Sequence, residues 1–152
     1  MAKLVFLDSE PLGLASKPVG QANADACHTW LNALESAGVR VLVPEIVDYE
    51  VRRELIRAKA TAGLRRLDAV LVRFILLPLD RAALLRAAEL WAQLRNAGVP
   101  TANRHALDAD AILAGQALTT AEPGDVVIVA TSNIRHLGRF PGIDARPWTT
   151  IT

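Results

Sequence analysis

Four residues of this 152-residue chain have the types and positions needed to hold a cation: Asp8, Glu50, Asp110 and Asn133. Asp8 follows directly on a short apolar run, KLVFL at 3–7, and Asn133 stands behind Thr131 and Ser132 after the run VVIVA at 126–130. Glu50 belongs to VPEIVDYEVRREL. At about 100° per residue it projects between Ile46 and Val47, onto an apolar helical stripe, with Glu54 one turn later. Asp108 and Asp110 open a further helical stretch, where the helix dipole and free N–H groups favour carboxylates. Being two apart, they should point to different sides, Asp108 capping the helix and Asp110 facing a cleft. Carboxylates within a few ångströms of one another repel, so such a cluster takes up protons or binds a cation. Oxygen ligands suit Mg²⁺ or Mn²⁺, which keep much of their water and can deliver one to a phosphodiester.

Each residue also has a plainer reading. Asp8 can end a strand and cap a turn, Glu50 can be a solvated helix residue, and Asp110 can stabilise the first turn of its helix. Asn133 is a fair turn former, and Glu54 either joins the site or pairs with Arg53 or Arg57 on the helix surface. Which reading holds depends on whether the fold gathers these side chains at one edge.

The elements that would do so follow from apolar patterning. Residues 3–7, 39–43 and 126–130 read as strands buried on both faces, and 74–77 as a further strand. Residues 148–151 read as a closing strand, and 11–20, rich in Pro and Gly, as a loop. Helices are expected at 22–37, stopped by Gly38; from Pro44 through about Ala60, with Gly63 interrupting before a short helix; at 81–97, capped by Asp80 and ended by Gly98; and at 109–119, capped by Asp108. Strands alternating with helices of this length imply right-handed crossovers and a mostly parallel sheet between two helical layers, a three-layer α/β/α domain. In such a sheet ligands bind beyond the carboxyl ends of the strands, which is where Asp8 and Asn133 fall.

With 51% hydrophobic residues the chain supports one substantial core and a single domain over 1–152. The net charge of +1 neither points to nucleic acid nor argues against it. A local basic stretch exists: Arg52, Arg53, Arg57, Lys59, Arg65 and Arg66 against Glu54, adjoining Glu50 and suited to phosphates or to a solvated face. One cysteine, Cys27, excludes an internal disulfide, and an N-terminal strand broken at Asp8 is unlike a signal peptide. With no run of apolar residues long enough for a membrane span, a soluble cytoplasmic protein is expected. His28, His105 and His136 lack zinc-ligand spacing with one another or with Cys27. There is no P-loop, and Ser9 lacks the G-x-S-x-G turn. Trp30, Trp91 and Trp148 read as core or interface residues.

Four segments, VFLDS with Asp8, VPEIVDYEVRREL with Glu50, DADAILAGQAL with Asp110, and VVIVATSNIRHLGRF followed by Trp148, stand in an order that resembles the PIN-domain ribonucleases, which include VapC-type toxins of toxin–antitoxin pairs. The resemblance runs nearly end to end. It implies a PIN-like fold and an endoribonuclease that cleaves single-stranded RNA with Mg²⁺ or Mn²⁺, as Asp8, Glu50 and Asp110 hold the metal and Asn133 completes the catalytic set. Ser9, Thr131 and Ser132 would orient water there, with Asp108 and Glu54 as further candidate ligands and Arg52, Arg53 and Arg57 as the RNA-binding surface. Implied partners are the RNA substrate, a small antitoxin protein and a second copy in a homodimer, with no membrane. Many relatives carry aspartate where this chain has Asn133, which contributes no charge, so a second ion is left open. The alternative is a PIN-fold module with weakened metal chemistry that binds RNA or a protein partner.

Overall fold

The computed structural model of the chain describes residues 1–98 and 104–152. Among them, five strands form one sheet: β1 (Lys3–Leu7), β2 (Arg40–Pro44), β3 (Ile75–Leu77), β4 (Val126–Ala130) and β5 (Asp144–Arg146). Their order is β3-β2-β1-β4-β5 and every pairing is parallel, so the expected mostly parallel sheet is wholly so. Leu4, Val5, Phe6 and Leu7 of β1 are all fully buried, which requires cover on both faces of the central strand. The helices supply it: α1 (Ser9–Ala15), α2 (Ala22–Ser36), α3 (Glu45–Arg57), α4 (Thr61–Arg73), α5 (Arg81–Asn96), α6 (Arg104–Thr120) and the short α7 (Ile134–Leu137).

Connectivity matters more for function than helix count. From β1 the chain runs outward through β2 and β3, then returns to the other side of β1 for β4 and β5. The order therefore reverses between β1 and β4, and a crevice opens beyond their carboxyl ends. Leu7 pairs with Ala130 at the last rung, which puts Asp8 and Thr131 side by side at that crevice.

Four expectations need correction. The stretch 11–20 is not all loop: α1 starts at Ser9, with Asp8 as its N-cap, and only the residues after Ala15 leave the helix. Pro11 falls in the first turn, where a missing N–H costs nothing, and Leu12, Leu14 and Ala15 bury the helix against the core. Gly63 does not separate α3 from α4. The break lies at 58–60, where Lys59 takes a left-handed φ of 54°, and Gly63 sits inside α4 because a Cβ there would come within 2.9 Å of Leu55 Cδ2.

Asp108 caps nothing. Helix α6 begins at Arg104, and Asp108 is an exposed residue of its second turn, because Leu107 already belongs to the buried face. Residues 148–151 do not close the sheet. That role falls to β5, while Trp148–Thr150 forms a 3₁₀ turn after Pro147. Packing explains the turn: the Trp148 and Trp30 rings lie 5.5 Å apart, and Trp30 Nε1 donates to the Ile151 carbonyl at 2.8 Å. Asp80 does cap α5, its carboxylate accepting from the Ala83 N–H at 2.9 Å.

Candidate functional site

The crevice beyond β1 and β4 is built around Asp8, whose residue is only 7% exposed. Asp8 Oδ1 accepts from the Ser9 N–H at 2.8 Å, and Oδ2 accepts from the Thr131 hydroxyl at 2.6 Å. Thr131, fully buried, in turn accepts from the Asn133 N–H at 2.8 Å. The loop after β4 is thereby tied to the carboxylate after β1. Asn133 also turns its amide Nδ2 toward Asp110 Oδ2, 3.4 Å away.

Two helices bring the other acids. Val47 and Val51 form the buried face of α3, and Glu50 lies next to both at helical spacing, half-buried. On α6, Asp110 stands one turn after buried Leu107 and one turn before buried Ala114. Because α6 starts at Arg104, Asp110 lies beyond the first turn, and the dipole of the helix terminus does not account for it.

The electrostatics report convergence. Burial first, then the charges of Asp8 and Glu50, push the Asp110 carboxyl up to about 7. Burial raises Glu50, with the Asp8 charge adding to it and Arg53 opposing. Asp8 is raised by burial against the lowering pull of the Thr131 and Ser9 hydrogen bonds. Asp110 thus feels both other carboxylates, and Glu50 feels Asp8, in a partly dry crevice. They stand at electrostatic range rather than as a ready-made chelate: among the described residues, no three acidic, histidine or cysteine side chains enclose a point that could hold an ion. The side chain of His105 lies outside the described residues.

Beside the acids runs a groove of about 770 Å³ between α1, α3 and α4, with Ser9 and Glu50 at the acid end and Lys17, Arg53, Arg57 and Arg66 along it. The remaining candidates separate. Ser132 is exposed beside the buried Thr131. Asp108 lines a different cleft, with Leu84 and Trp91 between α5 and α6. Glu54 takes the surface pairing, with Arg57 at 2.9 Å. Arg52 does not line the groove: it is held by Asp48 at 3.0 Å and Asp68 at 2.8 Å, joining α3 to α4. Lys17 was overlooked because it stands alone in a Pro-rich stretch, far in sequence from the basic run it joins.

A PIN domain family model matches residues 16–138, most of the chain, and the protein belongs to that family. Solved structures with this fold include a chain of VapBC2 from Rickettsia felis bound to promoter DNA, with a TM-score of 0.75 and 18% identity over 95% of this chain and 98% of that one. A chain of DNA-bound VapBC from Salmonella typhimurium gives a TM-score of 0.62 at 25% identity, over 97% and 99%. A chain of FitAcB from Neisseria gonorrhoeae gives 0.68 at 18%, also over 97% and 99%. No curated protein matches this chain by sequence. Among the described residues no helix is long and apolar enough to cross a membrane.

Proposed function

We propose that the protein is a divalent-metal-dependent endoribonuclease acting on single-stranded RNA, and the toxin half of a type II toxin–antitoxin pair. The observation that carries this reading is the gathering of buried Asp8 with half-buried Glu50 and Asp110, the last within the field of both others, in one crevice at the switch point of a PIN-family sheet.

The residues fit a hydrated ion. Burial and then the charges of Asp8 and Glu50 raise Asp110, a setting that a bound cation would relieve, and a donor set made only of oxygens suits Mg²⁺ or Mn²⁺. Asp8, Glu50 and Asp110 would hold Mg²⁺ or Mn²⁺. When bound, the ion lowers the pKa of a coordinated water and offsets the charge that grows on the phosphate. The protein's own groups do the rest. Thr131 and the Ser9 N–H fix both oxygens of Asp8, and Asn133 steadies Asp110 without adding negative charge. Arg53, Arg57, Lys17 and Arg66 line a path for the phosphates of a strand leading to Glu50.

A second reading, a PIN-fold module that binds RNA or a protein with weakened chemistry, draws support from Asn133 in the place of a fourth acid. Asp8→Asn separates the two, since it removes the charge while keeping one acceptor for the Ser9 N–H and offering an amide donor to the Thr131 hydroxyl oxygen. Loss of Mg²⁺- or Mn²⁺-dependent RNA cleavage with an unchanged circular dichroism spectrum supports the nuclease, and equal activity of the variant rejects it.

The partners of the neighbouring VapBC structures motivate a small antitoxin as partner for this chain. Homodimerisation draws on α5, which leaves Leu84 and Leu85 about half exposed. Light scattering of the isolated chain and of the chain co-expressed with its upstream gene product tests both.

A further inference from the structure

Glu50 and Asp110 belong to different helices, so any function of the acid crevice requires α3 and α6 to be held in a fixed relation. One buried polar side chain spans them. Gln116, on α6 and 1% exposed, accepts from the Ile46 N–H at the start of α3 (3.3 Å) and donates Nε2–H to the Leu77 carbonyl at the end of β3 (2.9 Å). The first bond fills a specific vacancy: α3 has Pro44 as its N-cap, which offers no side-chain acceptor for the first-turn N–H groups. A glutamine from another helix does that work instead. Ile46 lies one turn before Glu50, and Gln116 lies under two turns after Asp110, so the joint is close to both acids without touching either.

We propose that Gln116 is a positioning residue for the candidate active site, setting the separation of Glu50 and Asp110 by locking α6 to the α3 N-terminus. The amide is suited to this in a way no apolar residue is. It must present an acceptor to one backbone group and a donor to another, which also fixes its orientation. This inference rests on the proposed metal-binding role of the acids, and its test is built to tell the two apart.

The test compares wild type, Gln116→Met, which keeps the volume and removes both bonds, Gln116→Glu, which keeps an oxygen for the Ile46 N–H but loses the donor to Leu77, and Leu31→Ala, a core truncation on α2 that weakens the fold away from the joint. Two readouts are taken on folded protein: Mn²⁺ affinity by calorimetry, and the α3–α6 distance by electron–electron double resonance between spin labels at the exposed positions Tyr49 and Thr119, in a Cys27→Ala background. Gln116→Met is expected to lose about tenfold or more in Mn²⁺ affinity and to show a shifted or broadened distance. Leu31→Ala should change neither, and Gln116→Glu, which loses the Leu77 bond, should shift or broaden the distance less than Gln116→Met. A Gln116→Met variant with wild-type affinity and distance overturns the positioning role alone. If that variant does not fold, a wild-type distance in Gln116→Glu overturns it equally, and a shifted or broadened one supports it. A wild-type protein that binds no Mn²⁺ overturns the proposed function and this inference with it.

Discussion

Two regions of the molecule carry acidic side chains, and they treat them in opposite ways. Along α3 and α4 outside the crevice the acids are partnered: Asp48 and Asp68 share Arg52, and Glu54, at the groove, holds Arg57. In the crevice, Asp8 and Asp110 are partnered by hydroxyl, amide and backbone groups, and none of the described ion pairs includes them or Glu50. Arg53 lies near enough to lower Glu50, yet burial and the Asp8 charge outweigh it. Acids of the same type therefore play different parts because of what faces them. Where a cation from the chain is at hand they brace the fold; where it is withheld they are left to bind something else.

The sharpest way to break that comparison is to remove one acid from each region. Asp110→Asn is expected to lower RNA cleavage by about two to three orders of magnitude, the usual scale for losing a group that balances transition-state charge. Asp48→Asn, measured in the same assay on folded protein, should stay within about twofold of wild type, since its carboxylate is paired with Arg52 outside the crevice. Comparable losses in the two variants would end the distinction.

The next effect is on stability. With its carboxyl pushed up to about 7 from an ordinary 3.8, Asp110 binds its proton more tightly in the folded chain than in the unfolded one. Its contribution to stability is fully present below pH 3.8 and is lost as the pH rises through about 7. Asp8 and Glu50, also raised, act in the same direction. Metal-free protein should thus lose melting temperature between pH 4 and pH 7.5, and Asp110→Asn should flatten that loss. Mn²⁺ at about a hundred times its Kd should restore on the order of 2–3 kcal/mol, and more at pH 7.5 than at pH 5. An Asp110→Asn protein with the wild-type pH dependence would show that the crevice stores no such repulsion.

Much of this arrangement is legible in the residues. VVIVA, apolar throughout, and KLVFL, apolar after Lys3, read as central strands, and the strand-end rule then places Asp8 and the loop holding Asn133 at one edge. Glu50 betrays itself by its position on an apolar stripe. What stays hidden is whatever depends on partners distant in sequence. Helix α1 looked like a loop because Pro11 and Gly13 are local breakers, while burial of Leu12 and Leu14 decides the outcome. The closing strand was misplaced because Trp148 has strand-like chemistry but is drawn into a turn by Trp30, more than a hundred residues earlier. Arg52 could not be told from Arg53 by type or spacing, yet Asp48 and Asp68 claim the first and the groove takes the second.

That last pair gives a finer prediction. RNA held along the groove should bind less tightly as salt rises, and Arg53→Ala should reduce the slope of log affinity against log salt by about 0.7, the share of one phosphate contact to a single strand. Arg52→Ala should leave the slope as it is, because its guanidinium is already committed to two carboxylates. Equal changes in both would mean that RNA follows the helix surface rather than the groove. Fluorescence anisotropy with an uncleaved RNA analogue reads the two slopes directly.

The smallest effect is also the most diagnostic of the contrast between the regions. Asp68 is 63% exposed in its side chain, so its bond to Arg52 is screened, and Asp68→Asn should cost only about 0.2–1 kcal/mol by urea denaturation at low salt. Asp48, 15% exposed, holds the same arginine in a drier setting and keeps it in place after the change. Raising the salt to about 0.5 M should shrink the Asp68→Asn deficit, because salt screens an exposed pair. In the crevice salt acts with the other sign. There it screens repulsion among Asp8, Glu50 and Asp110, so metal-free wild type should gain on Asp110→Asn as salt rises at pH 7.5. One salt series on two single variants therefore asks whether the two groups of acids differ in kind, and parallel responses would mean that they do not.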